Sequence, residues 1–303
     1  MRIGLFPGCS LEGSSPEYSE SVIAVAEHAG LELATIKDWN CCGATAAHNL
    51  SRELSLALPA RILALAEEQG FEEIVVPCAA CYNRLSVVRH ELLEEESLRK
   101  HIGEIIEMDF QCKPEIINIV QMLEKYVMLG IETKIQQPVN HKLACYYGCL
   151  LVRPQKVLQF DRPENPQSMD MIVKKLGGTP VNWAFKVECC GAGFSVSQPQ
   201  IVAKLSGKIL EDACQRGAEA IVVACPMCHS NLDMRRPEIE KYLEKRYSIP
   251  VLYITQVVGM ALGIDHKKLG LHRHMVPVTF PTKKQEPASE ASKPAEKVAK
   301  VEE

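Results

Sequence analysis

The chain has 303 residues, 47% hydrophobic and 24% charged, with 34 Lys and Arg against 38 Asp and Glu for a formal net charge of -4. That length supports two ordinary domains, each with its own core, and the charge balance excludes the basic footprint of a nucleic-acid-binding protein. Its 13 cysteines, in a sequence whose opening run from Met1 to Cys9 does not read as an apolar leader, predict metal or redox chemistry rather than a secreted disulfide framework.

The elements alternate along the chain. A strand over residues 2–6 runs into Pro7-Gly8-Cys9, a helix over 19–29 follows, and a short strand leads to Cys41-Cys42-Gly43. A helix over 62–68, a turn at Gly70 and an apolar strand over 74–76 then deliver Cys78 and Cys81. Residues 86–100 predict a charged helix whose Glu94-Glu95-Glu96 run is a solvated face. The order then restarts with a strand over 142–147, Cys149, a helix over 169–176, Cys189-Cys190-Gly191, a helix over 203–213, a turn at Gly217, a strand over 221–223, and Cys225 and Cys228. Beyond Phe280 the composition turns to Lys, Glu, Ala, Pro and Ser, so residues 281–303 read as a disordered tail. No run approaches the roughly 18 apolar residues of a transmembrane helix, and the expected location is the cytoplasm.

Ten of the cysteines form an internal repeat. Cys9, Cys41, Cys42, Cys78 and Cys81 are followed in the same order by Cys149, Cys189, Cys190, Cys225 and Cys228, at offsets of 140, 148, 148, 147 and 147 residues. One insertion of about eight residues therefore restores register. The expected fold is α/β: two similar doubly wound domains, residues 1–140 and 141–280, each with a mainly parallel sheet and its cysteines on the loop edge beyond the carboxyl ends of the strands.

The spacing points to a polynuclear metal centre. Adjacent Cα atoms lie about 3.8 Å apart, below the usual span of a disulfide of about 4.4–6.8 Å, so a vicinal bridge would be strained. Divergent thiolates can instead reach different irons of one centre. Five cysteines exceed the four that close a structural zinc site or an ordinary cubane. The fifth indicates either a larger, open cluster or a thiolate spare for substrate.

The twice-repeated Cys, CCG and CxxC pattern resembles the cysteine-rich CCG domain, and two copies without a fused ferredoxin segment resemble the B subunit family of heterodisulfide reductases. The residues that carry the likeness include Phe6-Pro7-Gly8-Cys9-Ser10, the run from Cys145 to Pro154, Cys189-Cys190-Gly191-Ala192-Gly193 and Cys225-Pro226-Met227-Cys228-His229. The resemblance implies a noncubane 4Fe-4S cluster in each half, held by Cys9, Cys41, Cys42, Cys78 and Cys81 and by Cys149, Cys189, Cys190, Cys225 and Cys228. It further implies that both clusters face one cavity in which a disulfide is split, each passing one electron and holding one sulfur. The implied partners are a ferredoxin-like C subunit with two cubane clusters and a flavin-containing A subunit.

Other residues admit plainer readings. Cys214 reads as a small buried residue of its helix, Cys112 as incidental because the corresponding segment of the second half offers Gln256, and Cys145 as a residue near the second site. His229 follows the second CxxC and would hydrogen-bond a sulfide or act from outside the ligand set, His48 is placed by no spacing rule, and His272 and His274 read as surface residues. Gly191-Ala192-Gly193 lacks the later Gly and the acidic residue of a dinucleotide loop, so NAD and flavin are not expected. The expected activity is reduction of a disulfide, or oxidation of the thiols. The alternative is a non-catalytic electron-relay subunit of a quinone-linked or other dehydrogenase.

Overall fold

The structure, a computed structural model, describes residues 2–44 and 46–279. The tail read at 281–303 lies outside the described residues.

The first half runs β1 (Arg2–Leu5), α1 (Pro16–His28), β2 (Glu32–Thr35), α2 (Ala47–Leu50), α3 (Arg52–Glu68), β3 (Glu73–Val76), α4 (Ala79–Glu94), α5 (Glu96–Ile106), β4 (Glu115–Asn118) and α6 (Ile119–Met122). The second runs β5 (Lys142–Tyr146), α7 (Gln155–Leu158), α8 (Ser168–Lys175), β6 (Thr179–Pro180), α9 (Pro199–Gln215), β7 (Ala220–Val223), α10 (Pro226–His229), α11 (Arg236–Leu243), β8 (Val251–Tyr253) and α12 (Ile254–Ala261). Each half forms one four-stranded sheet, ordered β2-β1-β3-β4 and β6-β5-β7-β8. Every pairing is parallel. The two sheets thus repeat one doubly wound topology, and the central strands β3 and β7 are buried along their whole length, in keeping with the apolar runs over 74–76 and 220–223, with Glu73 at the start of β3 held by Lys125 and Tyr126.

Boundaries follow local chemistry. Ser51 caps α3 by accepting from the Leu54 N–H at 2.9 Å. The helix read over 86–100 is two helices, because α4 ends at Glu94 and α5 begins at Glu96, with Glu94, Glu95 and Glu96 all exposed. The strands β4 and β8 each end in a capping pair: Gln121 Oε1 accepts from the Asn118 N–H at 3.0 Å, and Gln256 Oε1 from the Tyr253 N–H at 2.9 Å. Gln256 is therefore the counterpart of Gln121 and not of Cys112, which lies in the loop before β4 with φ at 58° and its carbonyl bound to Arg89. Cys214 is exposed rather than buried, since the buried stripe of α9 ends at Ala213 and the next residue is turned about 100° away.

The halves join through α1 and α12. Tyr18 stacks on Tyr253 with ring centroids 3.9 Å apart, and Ser21 Oγ lies 2.7 Å from Thr255 Oγ1. Among the described residues no helix is long and apolar enough to cross a membrane.

Candidate functional site

All ten repeated cysteines follow the carboxyl ends of strands, where a parallel sheet opens its ligand edge. None of the 13 cysteines forms a disulfide. In the first half Cys42 Sγ lies 3.0 Å from Cys81 Sγ, Cys41 interacts with Cys42 and Cys9, and Cys81 interacts with Cys78. In the second half Cys190 Sγ lies 3.8 Å from Cys228 Sγ, Cys228 interacts with Cys225, and Cys149 is set against Cys189 and close to Cys190 and Cys225. Each predicted group of five is brought together. The two groups also meet, because Cys78 and Cys225, one from each CxxC motif, are close enough to shift each other's ionisation, raising Cys78 and lowering Cys225.

The surroundings divide the thiols: Cys42, Cys189 and Cys225 are lowered, while shared hydrogen bonds and burial raise Cys41, Cys78, Cys81, Cys149 and Cys228. Backbone N–H groups point at sulfur, Gly43 to Cys41 at 3.4 Å and Gly191 to Cys189 at 3.3 Å. Hydrogen bonds from Cys41 and Cys81, with the Ala44 N–H, hold Cys42 down at about 3. Cys149 and the Gly191 and Ala192 N–H groups lower Cys189 to about 6. The shared hydrogen bond with Cys42, together with burial, raises Cys81, whose proton the group retains. A set of soft, convergent, largely buried sulfurs is the donor chemistry of an iron–sulfur centre, and it fits one in each half.

Two glycines make room at the sulfurs. Gly148 has φ +70° and a Cβ there would stand 3.0 Å from Cys228 Sγ, while Gly8 has φ +60° and its Cβ would stand 3.5 Å from Cys81 Sγ. Neither position suits a side chain.

The Tyr18 hydroxyl lies 3.2 Å from the Pro77 carbonyl and 3.4 Å from that of Ala224, so one buried group serves the residue before each CxxC motif. Around the second group, Asn231 Nδ2 donates to the Cys190 carbonyl at 3.1 Å and approaches its Sγ at 3.6 Å, with Ser206 Oγ on the same carbonyl at 3.0 Å. The Tyr147 and Gly148 N–H groups bind the Lys186 carbonyl, and Lys186 Nζ is buried on Asp170 Oδ1 at 2.8 Å, whose Oδ2 accepts from the Tyr147 hydroxyl at 2.7 Å. This triad ties the loop before Cys189 to the loop before Cys149. The first half has Pro7, Val22 and Asp38 at the corresponding offsets, so the device belongs to one site.

A cavity of ≈ 450 Å³ opens between the halves, with Cys9 and Ser10 on one side and Ser195, Val196, Met227 and Asn231 on the other. The segment after Cys149 packs on the first half: α7 lies against α4, and Asn83 Nδ2 donates to the Leu150 and Arg153 carbonyls.

Among the histidines, His229 turns away from the cavity. Its ring is buried beside Tyr253, with Nε2 3.2 Å from the Val251 carbonyl and 3.1 Å from His274 Nδ1. His274, read as a surface residue, is buried on Gln256 and His229, whereas His272 is exposed. His48 is exposed on α2, and Cys145 is buried inside β5 away from the cavity lining. Together His229, His274 and Asp233 form a compact polar cluster; His229 and Asp233 stand one helical turn apart, but no spacing in the sequence brings His274 to them.

Comparison with known proteins matches the sequence to one family. Residues 3–86 and 143–233 each match the cysteine-rich domain family CCG. The chain belongs to that family, with the domain present twice. The chain is 32% identical over 282 residues, 92% of its length and 98% of the relative's, to the 8-methylmenaquinol:fumarate reductase membrane anchor subunit of Wolinella succinogenes. It is 28% identical over 288 residues, 91% and 94% of the two lengths, to the B subunit of a ferredoxin/F(420)H(2)-dependent CoB-CoM heterodisulfide reductase of Methanosarcina acetivorans. Among solved structures a hypothetical protein from Helicobacter pylori aligns over 92% of this chain and 52% of that one, with a TM-score of 0.77 and 14% identity, a likeness of fold. The two CCG matches end within the helical segments that follow each CxxC, so both copies contain their five cysteines.

Proposed function

We propose that the chain is the disulfide-handling subunit of a heterodisulfide reductase-like complex, an oxidoreductase with two noncubane 4Fe-4S centres. Cys9, Cys41, Cys42, Cys78 and Cys81 would hold one, and Cys149, Cys189, Cys190, Cys225 and Cys228 the other. The observation that carries the reading is the meeting of the two thiol groups at Cys78 and Cys225, beside a cavity lined from both halves. Such centres supply one electron each. The overall reaction, R–S–S–R′ + 2 e⁻ + 2 H⁺ → R–SH + R′–SH, needs two.

The chain's own residues have defined parts in this reading. Gly8 and Gly148 keep space at the sulfurs, Tyr18 fixes the two CxxC loops relative to each other, and Asn231 and the Lys186–Asp170–Tyr147 triad orient the second group. The electrons would come from a ferredoxin-like C subunit with two cubane clusters, supplied by a flavin-containing A subunit. Direction follows the potential gap, about 1.4 kcal/mol per 30 mV for a two-electron couple.

A second reading has a specific support, the name of the 32% identical relative, a subunit of a fumarate reductase. In that reading the chain relays electrons within a quinone-linked complex and meets no disulfide. Electron paramagnetic resonance of the anaerobically oxidised protein separates the two. A signal that changes on adding thiol supports the disulfide reading; a spectrum indifferent to thiol, with full iron content, supports the relay.

A further inference from the structure

Three ligand-bearing segments of the second half are tied to one another by side chains. Tyr146 ends β5 three residues before Cys149, and Asn231 follows Cys228 by three residues. The Tyr146 hydroxyl donates to the Glu188 carbonyl at 2.6 Å, and Asn231 Nδ2 reaches the Cys190 carbonyl at 3.1 Å and its Sγ at 3.6 Å. Ser206 Oγ, on α9, shares the Cys190 carbonyl at 3.0 Å, and Ser195 Oγ donates to Asn231 Oδ1 at 3.0 Å. The loop that carries Cys189 and Cys190 is therefore held at Glu188, Cys190 and Ser195. Tyr146 and Asn231 are each 1% exposed, which shelters their hydrogen bonds from water. The Tyr146 phenol also lies near the sulfurs: burial, and then the thiols of Cys228, Cys190, Cys149 and Cys189, push its hydroxyl well above the ordinary range.

The first half places different chemistry at the same offsets: Phe6 for Tyr146, Leu58 for Ser206 and Arg84 for Asn231. Phe6 meets Trp39 edge-on, with ring centroids 5.7 Å apart, and Arg84 donates to the Ser55 carbonyl of α3 at 3.1 Å. The Cys41-Cys42 loop is held by its own Asn40, whose Nδ2 donates to the Cys41 carbonyl at 2.9 Å and the Leu58 carbonyl at 3.0 Å. The bond to Cys41 is exposed, and so is Cys9, whereas Cys149 is half-buried. A ligand loop fixed by buried side chains from neighbouring segments has less freedom to lose on closing around a metal. Hydrogen-bond partners behind a ligand set typically change metal affinity by about tenfold or more.

We propose that Tyr146 and Asn231 are positioning residues of the second centre and that they make the two centres unequal, the second being the one retained and the first the one that yields its iron. The inference rests on the proposal that each group of five cysteines holds an iron–sulfur centre, and it holds for the disulfide and relay readings alike. Tyr146 acts from the Cys149 segment and Asn231 from the CxxC segment, so the vicinal pair is fixed from both sides.

The test follows iron release from the anaerobically purified, iron-loaded full chain to the ferrous chelator bathophenanthroline disulfonate, read by absorbance. The wild type should release iron in two phases of about four irons each, with rates about tenfold apart. Cys190→Ser, which keeps the first centre, should show the fast phase alone, and Cys42→Ser, which keeps the second, the slow phase alone. Tyr146→Phe, which installs the residue that the first half carries, and Asn231→Ala should each speed the slow phase by about fivefold or more and leave the fast phase unchanged. A general loss of stability would quicken both phases, so the unchanged fast phase separates positioning from mere folding. One uniform phase in the wild type overturns the inference, as does a slow phase carried by Cys190→Ser or a slow phase indifferent to Tyr146→Phe and Asn231→Ala. Each of these leaves total iron at about eight per chain and the underlying proposal intact; a wild-type chain without iron overturns both.

Discussion

Tyr18 and Tyr253 lie face to face across the two halves, ring centroids 3.9 Å apart and planes 5° from parallel. The stack holds the Tyr18 hydroxyl between the Pro77 and Ala224 carbonyls, each one residue before a CxxC motif. One aromatic pair therefore sets the spacing of the thiol groups.

Tyr18→Phe keeps the stack and leaves two buried carbonyls without their shared donor. The expected cost is about 1–3 kcal/mol of unfolding free energy, read by urea denaturation, with faster loss of iron from both halves to a chelator. Unchanged stability and unchanged iron release would show that the hydroxyl does not organise the loops.

Gly148→Ala places a Cβ 3.0 Å from Cys228 Sγ at a left-handed backbone position. The variant should lose the second centre and keep the first, retaining about four irons per chain. Gly8→Ala, with 3.5 Å to Cys81 Sγ, should be milder. Equal iron in Gly148→Ala and wild type would mean that the sulfur has room to move.

Lys186→Met strands the Asp170 carboxylate, since both members of the pair are buried, with side-chain exposures of 3% and 6%. Breaking such a pair from one side costs about 3–5 kcal/mol. The double variant Lys186→Met with Asp170→Leu should recover part of this, and thermal denaturation of the three proteins checks it.

Burial lowers His274 to about 4 from its ordinary 6.5. The unfolded chain then takes up the proton first as the pH falls. Stability from this group is present above about pH 6.5 and is lost progressively towards pH 4, by up to about 3 kcal/mol. The groups that face it are His229, also lowered by burial, Asp233 and Gln256, with Arg236 and Glu17 at the margins of the cluster. Urea unfolding at pH 7 and pH 5 should show a smaller drop in His274→Asn than in wild type; identical drops would contradict this account.

Much of the site is legible in the sequence because it is written in spacing. Ten cysteines at nearly constant offsets sit in strand-to-helix loops, and a parallel sheet sends all such loops to one edge. What spacing does not encode are contacts between distant residues. Tyr18 meets Ala224 across 206 positions, and the Lys186–Asp170 pair has no equivalent in the first half, where Asp38 and Val22 stand at the corresponding offsets. Cys214 escapes a reading from periodicity because one residue separates the buried and exposed sides of a helix. His274 lies in the segment after α12, which folds back onto Gln256.

The most direct test of the central claim is iron and acid-labile sulfide analysis of the anaerobically purified chain, alongside Cys42→Ser and Cys190→Ser. Two four-iron centres predict about eight irons and about eight sulfides in the wild type and about half in each variant. Stoichiometric zinc without iron, or full iron in both variants, would contradict the claim.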